Sequence, residues 1–208
     1  NLTLAYMGAP SSGNLNVQVD AKNRVFFLTS KETMQWWGYD MDTGEELWGP
    51  VGEFRAFQYY GTVSNPPAPG YVYNGTFYVA GYGGILYAIE PRTGNILWTY
   101  GNGGPGNSTI SGLETPWGNY PLFIGAIADG KIYCFSSEHS PNVPPYKGEL
   151  VRCIDANTGK ELWTMFGWPG LGSFGQTGFP IADGYMIYLN TYDMQIYCIG
   201  RGPSAITV

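Results

Sequence analysis

An all-β fold, a β-propeller of four-stranded antiparallel blades, is what three observations in this 208-residue sequence predict. First, one turn recurs, as Asp40-Met-Asp-Thr43-Gly44-Glu-Glu-Leu47-Trp48, Glu90-Pro-Arg-Thr93-Gly94-Asn-Ile-Leu97-Trp98 and Asp155-Ala-Asn-Thr158-Gly159-Lys-Glu-Leu162-Trp163. Its threonines lie 50 and then 65 residues apart, the length of a small antiparallel sheet rather than of a helical pair. Second, tight-turn dipeptides precede alternating apolar runs upstream of the copies. Third, 31 Gly and 15 Pro leave no uninterrupted window for a long helix, and no apolar run approaches membrane-spanning length. Aromatic residues reach 16% while charged residues are 12%, half the usual share of a soluble domain.

The elements follow in chain order. Lys22-Asn23-Arg24 is a weak turn ahead of Val25–Leu28, and Trp36-Trp37-Gly38-Tyr39 leads into the first motif. Asn74-Gly75 precedes Thr76–Val79, with Leu86–Ile89 entering the second motif; Asp129-Gly130 precedes Lys131–Phe135, with Val151–Ile154 entering the third. Asp183-Gly184 precedes Tyr185–Leu189, and Ile196–Ile199 then runs into Gly200-Arg201-Gly202-Pro203 without reaching a Leu-Trp. Asn-Gly and Asp-Gly supply the positive φ that two-residue hairpin turns require. The expectation is one unit over residues 1–202, with blades at about 14–65, 66–118, 119–178 and 179–202, the last lacking its outer strand. Residues 203–208 read as a linker to a following domain or tail.

The motif residues have a physical reading as blade-docking elements. Thr43-Gly44, Thr93-Gly94 and Thr158-Gly159 make the turn between third and outer strands, the glycines taking positive φ. Asp40, Glu90 and Asp155 are placed to accept backbone N–H groups of that turn, while Trp48, Trp98 and Trp163 bring a large flat surface and an indole donor.

This pattern, small residue-x-acid-x-x-Thr-Gly-x-x-x-Trp, resembles the PQQ-type β-propeller repeats of quinoprotein dehydrogenases and their non-catalytic relatives, among them a bacterial outer-membrane assembly lipoprotein. The likeness runs over residues 14 to 202, with Gly38, Ala88 and Cys153 at the small position. Within that superfamily the chain is most similar to uncharacterised, secreted archaeal proteins of PQQ-like repeats, where a Gly-Pro-Ser stretch such as Gly202-Pro203-Ser204 leads out of the propeller. The resemblance implies that each motif tryptophan docks on the next blade. It also implies that four blades, fewer than the family's usual closed ring, are completed by the rest of a larger propeller or by further copies, which would cover an open edge that is otherwise a pairing hazard. For the catalytic members it implies PQQ stacked between a Trp and a disulfide of adjacent cysteines, with Ca²⁺ nearby. No two cysteines are adjacent here, so no cofactor, metal or catalytic residue is carried over. His139 has no identifiable partner, and Glu53, Glu114, Glu138 and Asp193 give no reason to select a catalytic pair.

Strand alternation sorts the connections onto two ends. The Asp-Gly and Thr-Gly turns share one; the long segments 49–69, 99–119, 136–149 and 164–178 share the other. That second end carries Tyr59, Tyr60, Trp117, Tyr120, Tyr146 and Trp168, which either form a contact surface for protein or glycan or pack beneath their own loops. A net charge of -6 disfavours nucleic acid and anionic membrane. Asn74 and Asn107 head glycosylation sequons that point to a secreted or cell-surface glycoprotein. Cys134 and Cys153 are read either as buried small hydrophobes or as a cross-strand disulfide, the latter if Val79 pairs with Ala88 in the preceding blade. The function read from these features is a non-catalytic extracellular scaffold for protein, glycan or self-association through its long-loop face. The alternative is a PQQ-dependent dehydrogenase or other propeller enzyme.

Overall fold

A computed structural model of the chain describes residues 18–30, 35–51, 70–80, 84–101, 114–115, 118–119, 122–136, 150–169 and 178–202. They form three four-stranded antiparallel meanders and a three-stranded one. The first holds β1 (Gln18–Asp20), β2 (Val25–Ser30), β3 (Gln35–Asp40) and β4 (Glu46–Val51), in that order. The second holds β5 (Tyr71–Tyr73), β6 (Thr76–Val79), β7 (Leu86–Ile89) and β8 (Ile96–Tyr100). A two-stranded ribbon, β9 (Glu114–Thr115) and β10 (Gly118–Asn119), follows. The third meander holds β11 (Leu122–Ala128), β12 (Lys131–Ser136), β13 (Leu150–Asp155) and β14 (Glu161–Phe166); the fourth holds β15 (Ile181–Ala182), β16 (Tyr185–Asn190) and β17 (Gln195–Ile199). The all-β propeller expected from the repeat is therefore what forms.

The hairpin chemistry follows the residues. Both members of Asn74-Gly75, Asp129-Gly130 and Asp183-Gly184 have positive φ, from 49° to 80°, the mirror-image geometry that matches strand twist. The first blade departs from this. Its β1–β2 turn is longer, closed by the buried Asp20 accepting the N–H groups of Lys22 and Asn23, each at 3.0 Å.

Cores lie between blades. Val25, Phe27, Trp36 and Trp48 of the first blade pack with Phe77, Val79 and Ile89 of the second. Tyr78, Leu86, Ala88 and Tyr100 pack with Leu122, Ile132, Cys134 and Ile154 of the third. Phe123, Phe135 and Val151 pack with Phe179, Met186 and Tyr188 of the fourth. A four-stranded sheet cannot bury both faces alone, so the stack of blades is the folding unit.

The Thr-Gly turns supply the joints. The Asp40 carboxylate accepts the N–H groups of Asp42 and Thr43, that of Glu90 accepts Thr93, and that of Asp155 accepts Asn157 and Thr158. In each of these blades the outer strand carries a bulge: Gly38, Ala88 and Cys153 pair with Trp48, Trp98 and Trp163, while the following residue pairs two places earlier on the outer strand. The motif leucines Leu47, Leu97 and Leu162 are the extra residues, and Leu97 and Leu162 are about half exposed. The bulge adds local twist. It lets the indole fold across the small residue: a Cβ on Gly38 would stand 2.3 Å from Trp48 Cε2. The ring continues onto the next blade, where Cβ atoms on Gly94 and Gly159 would meet the indoles of Trp48 and Trp98 at 2.6 Å. Trp48 Nε1 also donates to the Pro91 carbonyl at 2.7 Å.

The register corrects one expectation. Ala88 faces Tyr78, not Val79. In the third blade Cys134 faces Arg152 and Cys153 faces Tyr133, which puts the two sulfurs on opposite sides of the sheet. All three cysteines are free, and burial pushes the Cys153 thiol up to about 11. Titration of the denatured chain with a thiol reagent is expected to count three thiols; a count of one would restore the bridge. Gly94→Ala is expected to cost about 3 kcal/mol of unfolding free energy, combining left-handed strain with a clash against Trp48. Gly130→Ala, at φ 69° in open space, is expected to cost about 1 kcal/mol from strain alone. Equal costs in urea denaturation would refute the indole seat.

Candidate functional site: the open ends of the blade stack

Each blade presents one face forward, carrying its Trp onto the next blade, and one face backward. In the first three blades the forward row reads Phe27–Gly38–Trp48, Tyr78–Ala88–Trp98 and Tyr133–Cys153–Trp163. In the fourth it reads Ile187–Cys198 and stops. With no further blade packed there among the described residues, Tyr185, Ile187, Leu189 and Ile196 stand 52%, 43%, 43% and 74% exposed, beside an exposed Cys198. The alternate residues Met186 and Tyr188 are buried against the third blade, and Asn190 is buried beside them. A contiguous apolar sheet face of this kind is a candidate interaction surface.

The opposite end is the backward face of the first blade. Val19 pairs with Phe26 and Phe26 with Tyr39, whose rings stack at 5.2 Å. Val19 is 46% exposed. The turn at Gly44 is open among the described residues, where a Cβ would meet nothing within 4 Å, whereas the equivalent glycines of the second and third blades lie under tryptophans.

The turn end of the stack is laced together electrostatically. Arg92 donates to Asp40 Oδ2 at 2.9 Å and to the Asn23 carbonyl at 3.0 Å, joining the second blade's turn to both turns of the first. That guanidinium, helped by the N–H groups of Asp42 and Thr43, holds the Asp40 carboxyl below its ordinary value of 3.8. The Thr158 hydroxyl and backbone do the same for Asp155.

The seam between the second and third blades contains a charge that sequence reading did not single out. Arg152 is fully buried. Its Nη1 donates to Tyr100 Oη at 3.0 Å and stands 3.5 Å from Glu161 Oε2. The Tyr100 hydroxyl in turn donates to Glu161, whose other oxygen accepts Thr164 at 2.5 Å. Burial is the chief reason the Tyr100 hydroxyl is pushed far up. Arg152 Nη2 is buried and has no hydrogen-bond partner among the described residues. Removing the counter-charge leaves a buried cation uncompensated, so Glu161→Ala is expected to cost about 3 kcal/mol, and the Arg152→Met, Glu161→Leu pair much less. An equal loss in both, measured by urea denaturation, would show that the seam depends on the ion pair itself.

Of the aromatic residues expected on the long-loop end, Trp168 is described. Its N–H donates to Asn190 Oδ1, its carbonyl accepts from Thr191, and its ring meets Tyr192 edge-on. It braces the β16–β17 turn, while nearby Phe166 stands 81% exposed. Tyr59, Tyr60, Trp117, Tyr120, Tyr146 and Asn107 lie outside the described residues, as do Glu53, Glu138 and His139. Asn74 is exposed at the β5–β6 turn. Asp193 accepts from Gln195 N–H and from the Tyr197 hydroxyl on its own hairpin.

Residues 8–136 match the family model described as outer membrane protein assembly factor BamB. The chain belongs to this family of PQQ-like repeat propellers. A search of curated proteins found no match. Among solved structures, BamB from Moraxella catarrhalis is similar at 16% identity and a TM-score of 0.53 over 89% of this chain and 47% of that one. The computationally designed Ika4 protein shares 11% identity with a TM-score of 0.56, over 88% of both chains. A quinohemoprotein alcohol dehydrogenase from Pseudomonas putida shares 16% identity with a TM-score of 0.52, over 84% of this chain and 29% of that one. The chain thus spans about half the length of this BamB. The resemblance implies, for catalytic members, a disulfide of adjacent cysteines beside PQQ. Here Cys134, Cys153 and Cys198 stand mid-strand in β12, β13 and β17, so that adjacent-cysteine disulfide has no counterpart among them. No helix among the described residues is long and apolar enough to cross a membrane.

Proposed function

We propose that this chain is a non-catalytic propeller scaffold that works by protein association at the cell surface or outside the cell. The observation that carries this reading is the forward face of the fourth blade, where Tyr185, Ile187, Leu189 and Ile196 form an apolar row on a rigid sheet. Burying such a row is favourable, whereas leaving it in water invites association. The motif residues of the first two joints support the same reading, because their indoles and glycines are committed to joining blades. Exposed Asn74, on a tight hairpin turn, fits an extracellular setting.

The test pairs association with activity. Ile187→Asp combined with Leu189→Asp is expected to weaken association, followed by sedimentation velocity, by about a hundredfold, the equivalent of two lost apolar contacts, with circular dichroism unchanged. Unchanged association in the variant, or alcohol-dependent dye reduction by the wild-type chain supplied with PQQ and Ca²⁺, would overturn the reading.

A further inference from the structure

The seam between the second and third blades holds donors that meet no acceptor. Arg152 lies on the backward face of the third blade, paired with Cys134 of β12 and Thr164 of β14, and none of its surface is exposed. Tyr100, the last residue of β8, meets it from the second blade. The N–H groups of the guanidinium are unevenly used. Nε reaches Ser136 Oγ at 3.4 Å, while Nη1 donates to Tyr100 Oη at 3.0 Å and stands 3.5 Å from Glu161 Oε2. Nη2 is buried, and both of its N–H groups lack an acceptor among the described residues.

Glu161 answers this charge only in part. Its 3.5 Å separation from Nη1 is longer than the about 2.7–2.9 Å of a charge-assisted bond. Its two oxygens already accept the Thr164 and Tyr100 hydroxyls. Its side chain is 26% exposed, so water screens it, whereas the guanidinium is shut away from water. The other titratable groups beside Arg152 carry no charge, since burial pushes both the Cys134 thiol and the Tyr100 hydroxyl far up. A buried cation with unused donors is strongly unfavourable unless a further group meets it. Water and an anion are the two kinds of occupant that accept from Nη2. Water brings two donors along with its lone pairs, and these need acceptors in a seam whose carboxylate is already engaged. An anion brings acceptors and the missing charge together. The seam admits only a small one, and a monatomic anion needs little more room than a water.

We propose that the seam between the second and third blades is a binding site for chloride, held by Arg152 Nη2. The site goes beyond the scaffold reading and does not rest on it, because it concerns an inner seam and not an exposed face. The ion completes the partners of the guanidinium, which already reaches Tyr100 of the second blade and Ser136 of the third. It thereby ties one blade to the next, and the stability of the stack depends on the anion present.

The test is an anion exchange at constant ionic strength, in which gluconate, too large for the seam, is replaced stepwise by chloride. In the wild-type chain the folded-to-unfolded ratio from urea denaturation is expected to rise about tenfold by about 0.15 M chloride, the gain from an ion at about nine times its dissociation constant. The Arg152→Met, Glu161→Leu pair, with its fold checked by circular dichroism, should show no gain. If that pair does not fold, Arg152→Lys, which keeps the cation and loses Nη2, takes its place with the same expectation. Crystals grown in bromide are expected to show an anomalous peak within hydrogen-bond reach of Nη2. No gain in the wild type, an equal gain in the variant, or a water beside Nη2 in the bromide crystals overturns the proposal. A bromide peak there without the effect in solution marks an adventitious ion only and overturns it too. The scaffold reading is untouched by each of these outcomes.

Discussion

The seat of an outer-strand indole on the glycine of the following blade's turn is the contact on which the rest of this molecule depends. Trp48 on Gly94 and Trp98 on Gly159 leave no room for a Cβ, and glycine, which has none, takes the left-handed turn without steric cost. The same indole crosses its own sheet, which requires Gly38, Ala88 or Cys153 beneath it. Removing a buried aromatic of this size costs about 3–5 kcal/mol, and the apolar clusters of the described residues each span two blades. Blade order, turn chemistry and small-residue positions all follow from that single packing arrangement.

Because the seat is directional, the stack has unlike ends. Forward faces give an indole and backward faces receive one, so a stack that does not close leaves an unsatisfied surface of each kind. Among the described residues, the forward face of the fourth blade and Gly44 are those surfaces. Elsewhere the stack is secured by bonds that cross blades: Arg92 to Asp40 and Asn23, Tyr78 to the Ala156 carbonyl at 3.0 Å, and Gly130 N–H to the Tyr73 hydroxyl at 3.0 Å. They make the turn end a rigid plate and hold the faces of successive sheets in register.

Hairpins were legible in the sequence because their geometry is local. Asn74-Gly75 and Asp129-Gly130 dictate their own φ values, and Thr-Gly with an acid three residues before the Thr closes on its own backbone. Register was less legible. The Cys134–Cys153 pairing required knowing how the β12–β13 connection is traversed, and an error of one residue moves every side chain to the opposite face. The role of Leu97 and Leu162 was hidden for a related reason, since a bulge is a property of two strands and not of one. Arg152 gave no local sign at all, because its partner Tyr100 lies 52 residues away in a different blade.

By itself, then, the sequence determined the repeat, its turns and the number of strands in each blade, since these rest on backbone preferences and period-two patterning within short stretches. Only the tertiary structure decided which face of each blade points forward, that the thiols of β12 and β13 face apart, that a buried guanidinium spans the second seam, and that the fourth blade presents an apolar row which nothing among the described residues covers. Those outcomes depend on what one sheet meets on the next, and packing between distant residues is not written in any single segment of the chain.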